Sequence, residues 1–563
     1  MTLSPSENES PELCGRPSSG SIAFKPIDLD SKNKIQSDDF VSIETALAAT
    51  GFGIYNYYLI VIVGVISGGL LVELFAIGMY LPVTDCDIKL SAQEKGIVTA
   101  AQLAGVLSSC YFWGFMGDIK GRRKTMVPAV MIAFLTDVVT SFLSDFWSIA
   151  AFRYLNGFFI AVTCTIPFTY LGEFHTKELR SKAIMYANVV YSLSIAVVIF
   201  VAWLVINQEW KLNIPFLGIV FKPWRLHLIV NFLLVFMCGI ILAFMPESPK
   251  FTLLEGKQEE TIEVLRNIFR RNHRNAQNEY PFTRIQQEKS SHQWNLVTSE
   301  TCSFLGIARQ IWNQTVPLLK PPFLQRTAFL SLILFIFFFT MRGMYPWYTF
   351  IVNNVAEYQN LYPNRTTMCN MLATMAEYKS FVMENKEEEC KETLATSTYI
   401  YNLILEALFL SISITLSVLV RYTDKLYILF INLIITGICG VLSAYVMDPQ
   451  AAVFLFSMLQ SGATSVGIFN VVTVELFPTS LRATAGCMVF IIGCLGGIIG
   501  ANVVAVLLET ACEIAFVLSG GCVLLAAILS LGLIPMVRRI LKQEESIEEK
   551  NVKKVKVATT SNN

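Results

Sequence analysis

The chain has 563 residues, of which 54% are apolar and only 15% charged, against about 25% charged residues in a soluble domain. An aromatic share of 12% points the same way, and together these values exclude a disordered protein, a collagen-like fibre and an ordinary cytosolic enzyme. Lys and Arg (43) balance Asp and Glu (43), so there is no net pull toward nucleic acid.

Residues 1–52 are rich in Ser, Asp and Lys and hold no apolar core. They read as a disordered cytoplasmic tail rather than a secretory signal. A membrane-spanning helix needs about 20 apolar residues. The first bundle, 53–246, holds six such runs at 54–80, 96–117, 126–144, 147–170, 183–206 and 225–245. A polar cytoplasmic loop, 247–325, follows. Within it Ile262, Leu265, Ile268 and Phe269 recur at helical spacing over 256–274, and Ile307, Ile311 and Trp312 do so over 306–316. Both read as amphipathic helices at the membrane surface or under the bundle. The second bundle, 326–537, has six runs at 326–350, 398–420, 426–446, 451–473, 484–508 and 513–536, with an outer loop at 353–397. Residues 538–563 form a cytoplasmic tail. The fold expected is an all-α membrane protein of twelve transmembrane helices.

Base near the span ends sets orientation. Lys120 to Lys124, Lys177, Arg180, Lys182, Arg266 to Arg274 and Arg538 to Lys542 all fall on one side if the spans alternate. Both termini are therefore expected in the cytoplasm. The loop 353–397 then faces outward, and its Asn364-Arg365-Thr366 sequon is on the side where glycosylation occurs. Cys369 and Cys390 share that loop and are either a disulfide or two free thiols. The thirteen cysteines are too dilute for a disulfide scaffold, and with four His no Cys/His cluster has zinc spacing. No metal, cofactor or catalytic constellation is expected, so an enzyme is not indicated.

The loops after runs four and ten echo each other. Glu173…Leu179-Arg180…Ala183 matches Glu475…Leu481-Arg482…Ala485 in spacing. A weaker echo pairs Asp118 with Asp424. Run n thus lies opposite run n+6, the sign of two six-helix halves related about the membrane normal.

Gly117-Asp118-x-x-Gly121-Arg122-Arg123-Lys124, Arg153-x-x-x-Gly157 and Pro246-Glu247-Ser248-Pro249-Lys250 resemble motifs of the major facilitator superfamily. The stretches 87–124 and 224–257 most resemble the synaptic vesicle glycoprotein 2 family within its organic-ion and sugar-porter branch. This resemblance implies a secondary-active or facilitative carrier working by alternating access. Its solute would be small and organic, a cation or sugar-like molecule, and it is open whether protons drive it. The other reading is a vesicle-membrane receptor or trafficking protein that transports weakly or not at all. Either would be a monomer whose partners are a small solute and the lipid bilayer, in the plasma membrane or an intracellular vesicle. The outer loop is shorter than the folded domain found there in the vertebrate vesicle proteins, so a receptor role tied to that domain is in doubt.

Acid beside base at the cytoplasmic span ends suits a latch that holds in one state only. The candidates are Asp118, Arg122, Glu173, Arg180, Glu247, Asp424, Glu475 and Arg482. Ionisable residues inside spans cost roughly 2.5–3.5 kcal/mol each on insertion scales and mark cavities or partners. By the superfamily's arrangement Glu73, Arg153, Arg342 and Glu406 reach the central cavity, whereas Asp137 is a structural hydrogen bonder. Glu73 and Glu406 either meet solute or protons, or are neutralised by Arg342 and Arg153. Tyr401 and Asn402, about one turn from Glu406, are expected at the cavity, and Trp347, Tyr348 and Tyr399 in the interfacial belt.

Overall fold

A computed structural model of the protein describes residues 41–273 apart from 82, 85–86, 89 and 217; residues 280–286; and residues 309, 312 and 315–538 apart from 322, 363, 386–393, 420–421 and 478–481. Span one is Ile54–Ser67 and Gly69–Tyr80, broken only at Gly68. Spans two and three are Ala92–Lys120 and Arg122–Ser141. Span four is divided into Phe146–Ile160, Val162–Thr165 and Pro167–Glu173. Spans five and six are Lys177–Ile206 and Pro223–Ala243. Span seven is Phe323–Leu361, which continues eleven residues past the expected end at 350. Spans eight and nine are Thr396–Leu419 and Lys425–Leu442. Span ten is Pro449–Ser461 and Val466–Leu476 around a 3₁₀ turn, and spans eleven and twelve are Arg482–Thr510 and Cys512–Leu531. Eleven helices among the described residues are long and apolar enough to cross a membrane, and the count rises to twelve if Ile43–Ala49 and Ile54–Ser67, bent by 110° against each other, are taken as one span.

The repeat is visible in local chemistry. Asp145 and Asp448 are the N-caps of spans four and ten, accepting from the backbone N–H of Ser148 and Ala451. Both satisfy a donor that a helix start leaves orphaned. Both of these spans also break in mid-course. Large apolar side chains such as Leu135, Phe200, Ile435 and Leu525 stay exposed along the spans, as lipid-facing positions do in an otherwise packed bundle.

Within each half, backbones meet at glycines. A Cβ on Gly157 would run into the carbonyl of Gln102, and one on Gly105 into that of Tyr154, so spans two and four cross in direct backbone contact. In the second half Gly496 and Gly500 press against the carbonyls of Phe335 and Phe339, joining spans seven and eleven in the same way.

The base-rich face carries short helices. Ile43–Ala49, Pro249–Leu254 and Gln258–Asn272 lie there. The last buries Ile262, Leu265 and Ile268 on its expected apolar face. Asn272 ends it against span one: its Nδ2 donates to Thr50 O and Asn56 Oδ1, and its Oδ1 accepts from Tyr55 N. The second amphipathic segment, 306–316, falls largely outside the described residues. On the opposite face, a short hairpin (Leu212–Ile214 with Ile219–Phe221) joins spans five and six, and the segment between spans seven and eight contains the helix Met368–Asn385.

Candidate functional site

The charged candidate residues fall at three levels. The first is sealed inside the first half. Arg153 Nη1 on span four donates to Glu73 Oε2 on span one at 2.7 Å and lies 3.5 Å from Asp137 Oδ1 on span three. The three side chains are at most 1% exposed. Asn231 Nδ2 on span six donates to Glu73 Oε1 at 3.1 Å, and Asn156 Nδ2 donates to Asp137 Oδ1 at 2.9 Å while accepting from Gln102 Nε2. The Tyr80 ring covers the guanidinium at 5.5 Å. The pocket therefore sets two carboxyls against one guanidinium. Glu73 pairs with Arg153 and not with Arg342, and both members face the interior of their own half rather than the space between halves. Helix phase explains this: Phe75 and Gly78 occupy the face of span one that meets Tyr345 and Pro346 of span seven, and this turns Glu73 to the other side.

The second level is the base-rich end of the first half. Arg122 Nη2 lies 3.1 Å from Asp118 Oδ1 and 3.0 Å from Glu173 Oε1, with its guanidinium over the Phe251 ring. Glu247 acts from outside the helix as a cap for span three. Its Oε1 accepts from the backbone N–H of Arg122 and Arg123 at 3.0 Å each, and its Oε2 from that of Lys124 at 3.3 Å. The approach needs Gly121, whose φ is +101° and where a Cβ would sit 2.6 Å from Glu247 Oε2. Arg180 donates to Gly172 O at 3.1 Å and lies 4.0 Å from Glu44. Each of these named partners belongs to the first half or to the short helices beneath it. His175 Nδ1 faces Leu171 O at 2.8 Å, so it donates there, and Nε2 accepts from Asn56 Nδ2 at 3.0 Å. Burial holds this imidazole below its ordinary pKa. In the second half Asp424 is half-exposed, 3.6 Å from Arg538. The side chains of Glu475 and Arg482 lie outside the described residues.

The third level lies between the halves. Glu406 on span eight is 4% exposed, and its Oε1 is buried with no hydrogen-bond partner. Arg342 on span seven has a buried Nη1 with none. Among the described residues neither group forms an ion pair, with the other or elsewhere. The guanidinium instead rests against the rings of Phe338 and Phe490 at 4.7 and 5.2 Å. Tyr345, one turn beyond Arg342, has a buried hydroxyl that is also unpartnered and lies within electrostatic range of both groups. Tyr191 of span five brings the first half into the same range. Asn402 is engaged elsewhere, accepting from Thr349 Oγ1 at 3.2 Å and donating to Thr398 O. Tyr401 reaches outward to Gln359 Oε1 at 3.4 Å. Tyr348 and Tyr399, expected in the interfacial belt, are fully buried.

At the face opposite the short helices the halves touch. Asn207 Oδ1, just past span five, accepts from Tyr399 Oη at 2.9 Å and Leu394 N at 3.3 Å. Trp203 stacks on Tyr399, and Phe75 meets Tyr345 edge-on. A correction concerns Cys369. It is bonded to Cys512 at the start of span twelve, Cα atoms 5.6 Å apart, and not to Cys390, which lies outside the described residues. The helix Met368–Asn385 carries Cys369 to that span end. Asn364 is exposed at the same face.

A profile of the major facilitator superfamily matches residues 45–501. The chain belongs to the major facilitator superfamily. It is a multi-pass membrane protein of a transporter superfamily, not of an enzyme family. Within this superfamily it is 23% identical to mouse synaptic vesicle glycoprotein 2B over 317 residues, 54% of this chain and 46% of the relative. It is 24% identical to rat synaptic vesicle glycoprotein 2A over 325 residues, covering 55% and 44%. The chain thus spans about half the length of the curated relatives it matches. In structure it is similar to the E. coli xylose transporter in its inward-open conformation, with a TM-score of 0.57 at 13% identity over 85% of this chain and 96% of that one. The partially occluded inward-open form gives 0.56 at 12% identity over 85% and 99%. At such identity the likeness concerns the fold. Sequence reasoning missed the superfamily member's amide relays, Asn156, Asn231 and Asn272. Asn156 and Asn231 stand inside otherwise apolar runs, which is the signal that reveals them.

Proposed function

We propose that the protein is an alternating-access carrier for a small organic solute that binds between the halves at Glu406. The observation that carries this reading is the buried carboxylate without a partner. A lone carboxyl at bilayer depth costs several kcal/mol unless something neutralises it, so such positions mark solute or ion paths. Contacts between halves through Asn207, Tyr399, Phe75 and Tyr345 lie opposite the face bearing the short helices, and on the other side Tyr111 Oη donates to Thr484 O at 3.3 Å; the former suit a state closed on the side away from the short helices. With the base-rich face in the cytoplasm, that state is inward-facing, Asn364 is available for glycosylation, and the Arg122 cluster stands ready to meet the second half when the inner side closes. The Glu73–Asp137–Arg153 pocket, with one carboxyl more than it has cations, is the place for a coupled proton. Uptake of a solute panel into proteoliposomes, parent against Glu406→Gln, tests the proposal. Loss of uptake in the variant is expected. Equal uptake by parent and variant would remove Glu406 from the path, and binding without flux would favour a receptor on the same fold.

A further inference from the structure

The boundary between the halves offers more than one unpartnered carboxylate. It holds one acid and one base, each short of a partner, and they do not satisfy each other. Opposite charges in a low-dielectric interior attract strongly, so something must hold these two apart. Arg342 is fixed on span seven by the Phe338 and Phe490 rings and by Gly497, where a Cβ would press on its own Cβ at 2.9 Å. Glu406 is fixed on span eight, which is tied to span seven through Thr349–Asn402 and through the contact of Tyr348 Oη with Tyr401 O at 3.4 Å. The spacing therefore belongs to the scaffold. A bare cation would answer Glu406 and leave Arg342 bare. A bare anion would do the reverse. A neutral polyol would leave Glu406 to be neutralised by a proton and Arg342 with only its two rings.

We infer that the solute is a zwitterion, with its cationic end at Glu406 and its anionic end at Arg342. The inference rests on the carrier reading above for the solute's entry, but not for its recognition. The pair sums to zero, as the solute does, so occupancy leaves no net charge in the chamber. The Tyr345 hydroxyl and the Tyr191 side chain each lie within electrostatic range of both charges, so both can contact the bound solute.

The test uses the full chain in lipid nanodiscs and ω-amino acids of about three to six carbons, because chain length samples the distance between the charges. Two controls accompany each: the alkylamine without the carboxylate and the alkanoate without the amine. Binding is read by direct radioligand association and by thermal shift. The parent should bind one chain length at least about tenfold tighter than either control. Glu406→Gln should abolish the preference over the alkanoate, and Arg342→Gln the preference over the alkylamine. The parent's own selectivity needs no variant, so misfolding of either variant leaves the test intact. An alkylamine that binds as tightly as its amino acid, with Arg342→Gln without effect, would overturn the inference and leave a cation carrier. Binding of none of the amino acids, beside Glu406-dependent uptake of a neutral solute, would also overturn it while keeping the carrier. Selective binding without uptake would uphold the zwitterion site and sink the carrier reading.

Discussion

The sealed pocket of Glu73, Asp137 and Arg153 makes a prediction of opposite costs for chemically similar changes. The pocket has two carboxyls and one guanidinium, so removing one acid brings it closer to neutrality. Asp137→Asn keeps the shape and can still accept from Asn156. It should cost about 1 kcal/mol or less, the worth of one hydrogen bond. Glu73→Gln alone should cost somewhat more, because the 2.7 Å contact to Arg153 is the shorter. The double variant is different. It leaves Arg153, with no exposed surface, as an uncompensated buried charge, a cost of about 3–5 kcal/mol. Non-additivity of at least about 2 kcal/mol is therefore expected, and Arg153→Met in the double-variant background should recover much of it. The assay is equilibrium unfolding in detergent micelles for the full cycle, with monodispersity checked by size exclusion. Costs that add within about 0.5 kcal/mol would refute the reasoning, since independent sites behave that way.

Glu247→Ala exposes three orphaned N–H groups at the start of span three and should lower stability by about 2–3 kcal/mol, whereas Glu247→Gln should cost about 1 kcal/mol through lost charge at the helix N-terminus; thermal melts of the two variants check the order. His175 is buried as a neutral acceptor, so its folded pKa lies below its unfolded value. Its stabilising contact is whole above about pH 6.5 and is lost as pH falls, by at most about 1.4 kcal/mol per pH unit. Melting of the parent between pH 7.5 and pH 5 should fall more steeply than that of His175→Gln, and parallel curves would remove His175 from the acid response. Gly157→Ala places a methyl in the Gln102 carbonyl and should abolish monodisperse protein, read by fluorescence-detected size exclusion. Asn364→Gln should remove a glycosidase-sensitive band shift in eukaryotic cells, and an unshifted parent would reverse the assigned orientation.

Much of the architecture was legible in the chain. Runs of apolar residues located the spans, and the echo of Glu173 to Ala183 in Glu475 to Ala485 located the halves, because bilayer thickness and superfamily duplication both leave marks at fixed spacing. Facing was not legible. Span one is apolar nearly all round, so no polar stripe says which way Glu73 points, and only packing against span seven decides it. The pairing of Cys369 was illegible for a related reason: its partner, Cys512, is 143 residues away in sequence and reaches it through the fold alone. Tyr401 was drawn to the chamber by its closeness to Glu406 in sequence, yet five residues along a helix turn a side chain away from that face. Its place at a span end marks Glu247 as a latch candidate, and the structure adds that it caps span three, since a carboxylate beside a glycine turn serves the nearest free N–H groups.

The glycine crossings have a mechanical consequence. Where spans two and four, and again seven and eleven, meet carbonyl to Cα, no side-chain layer remains to shear. Any rearrangement must then leave these pairs unchanged and be taken up where the bundles face each other. Spin labels on two spans of the same bundle should report one distance under every condition, and only labels that straddle the boundary should report two.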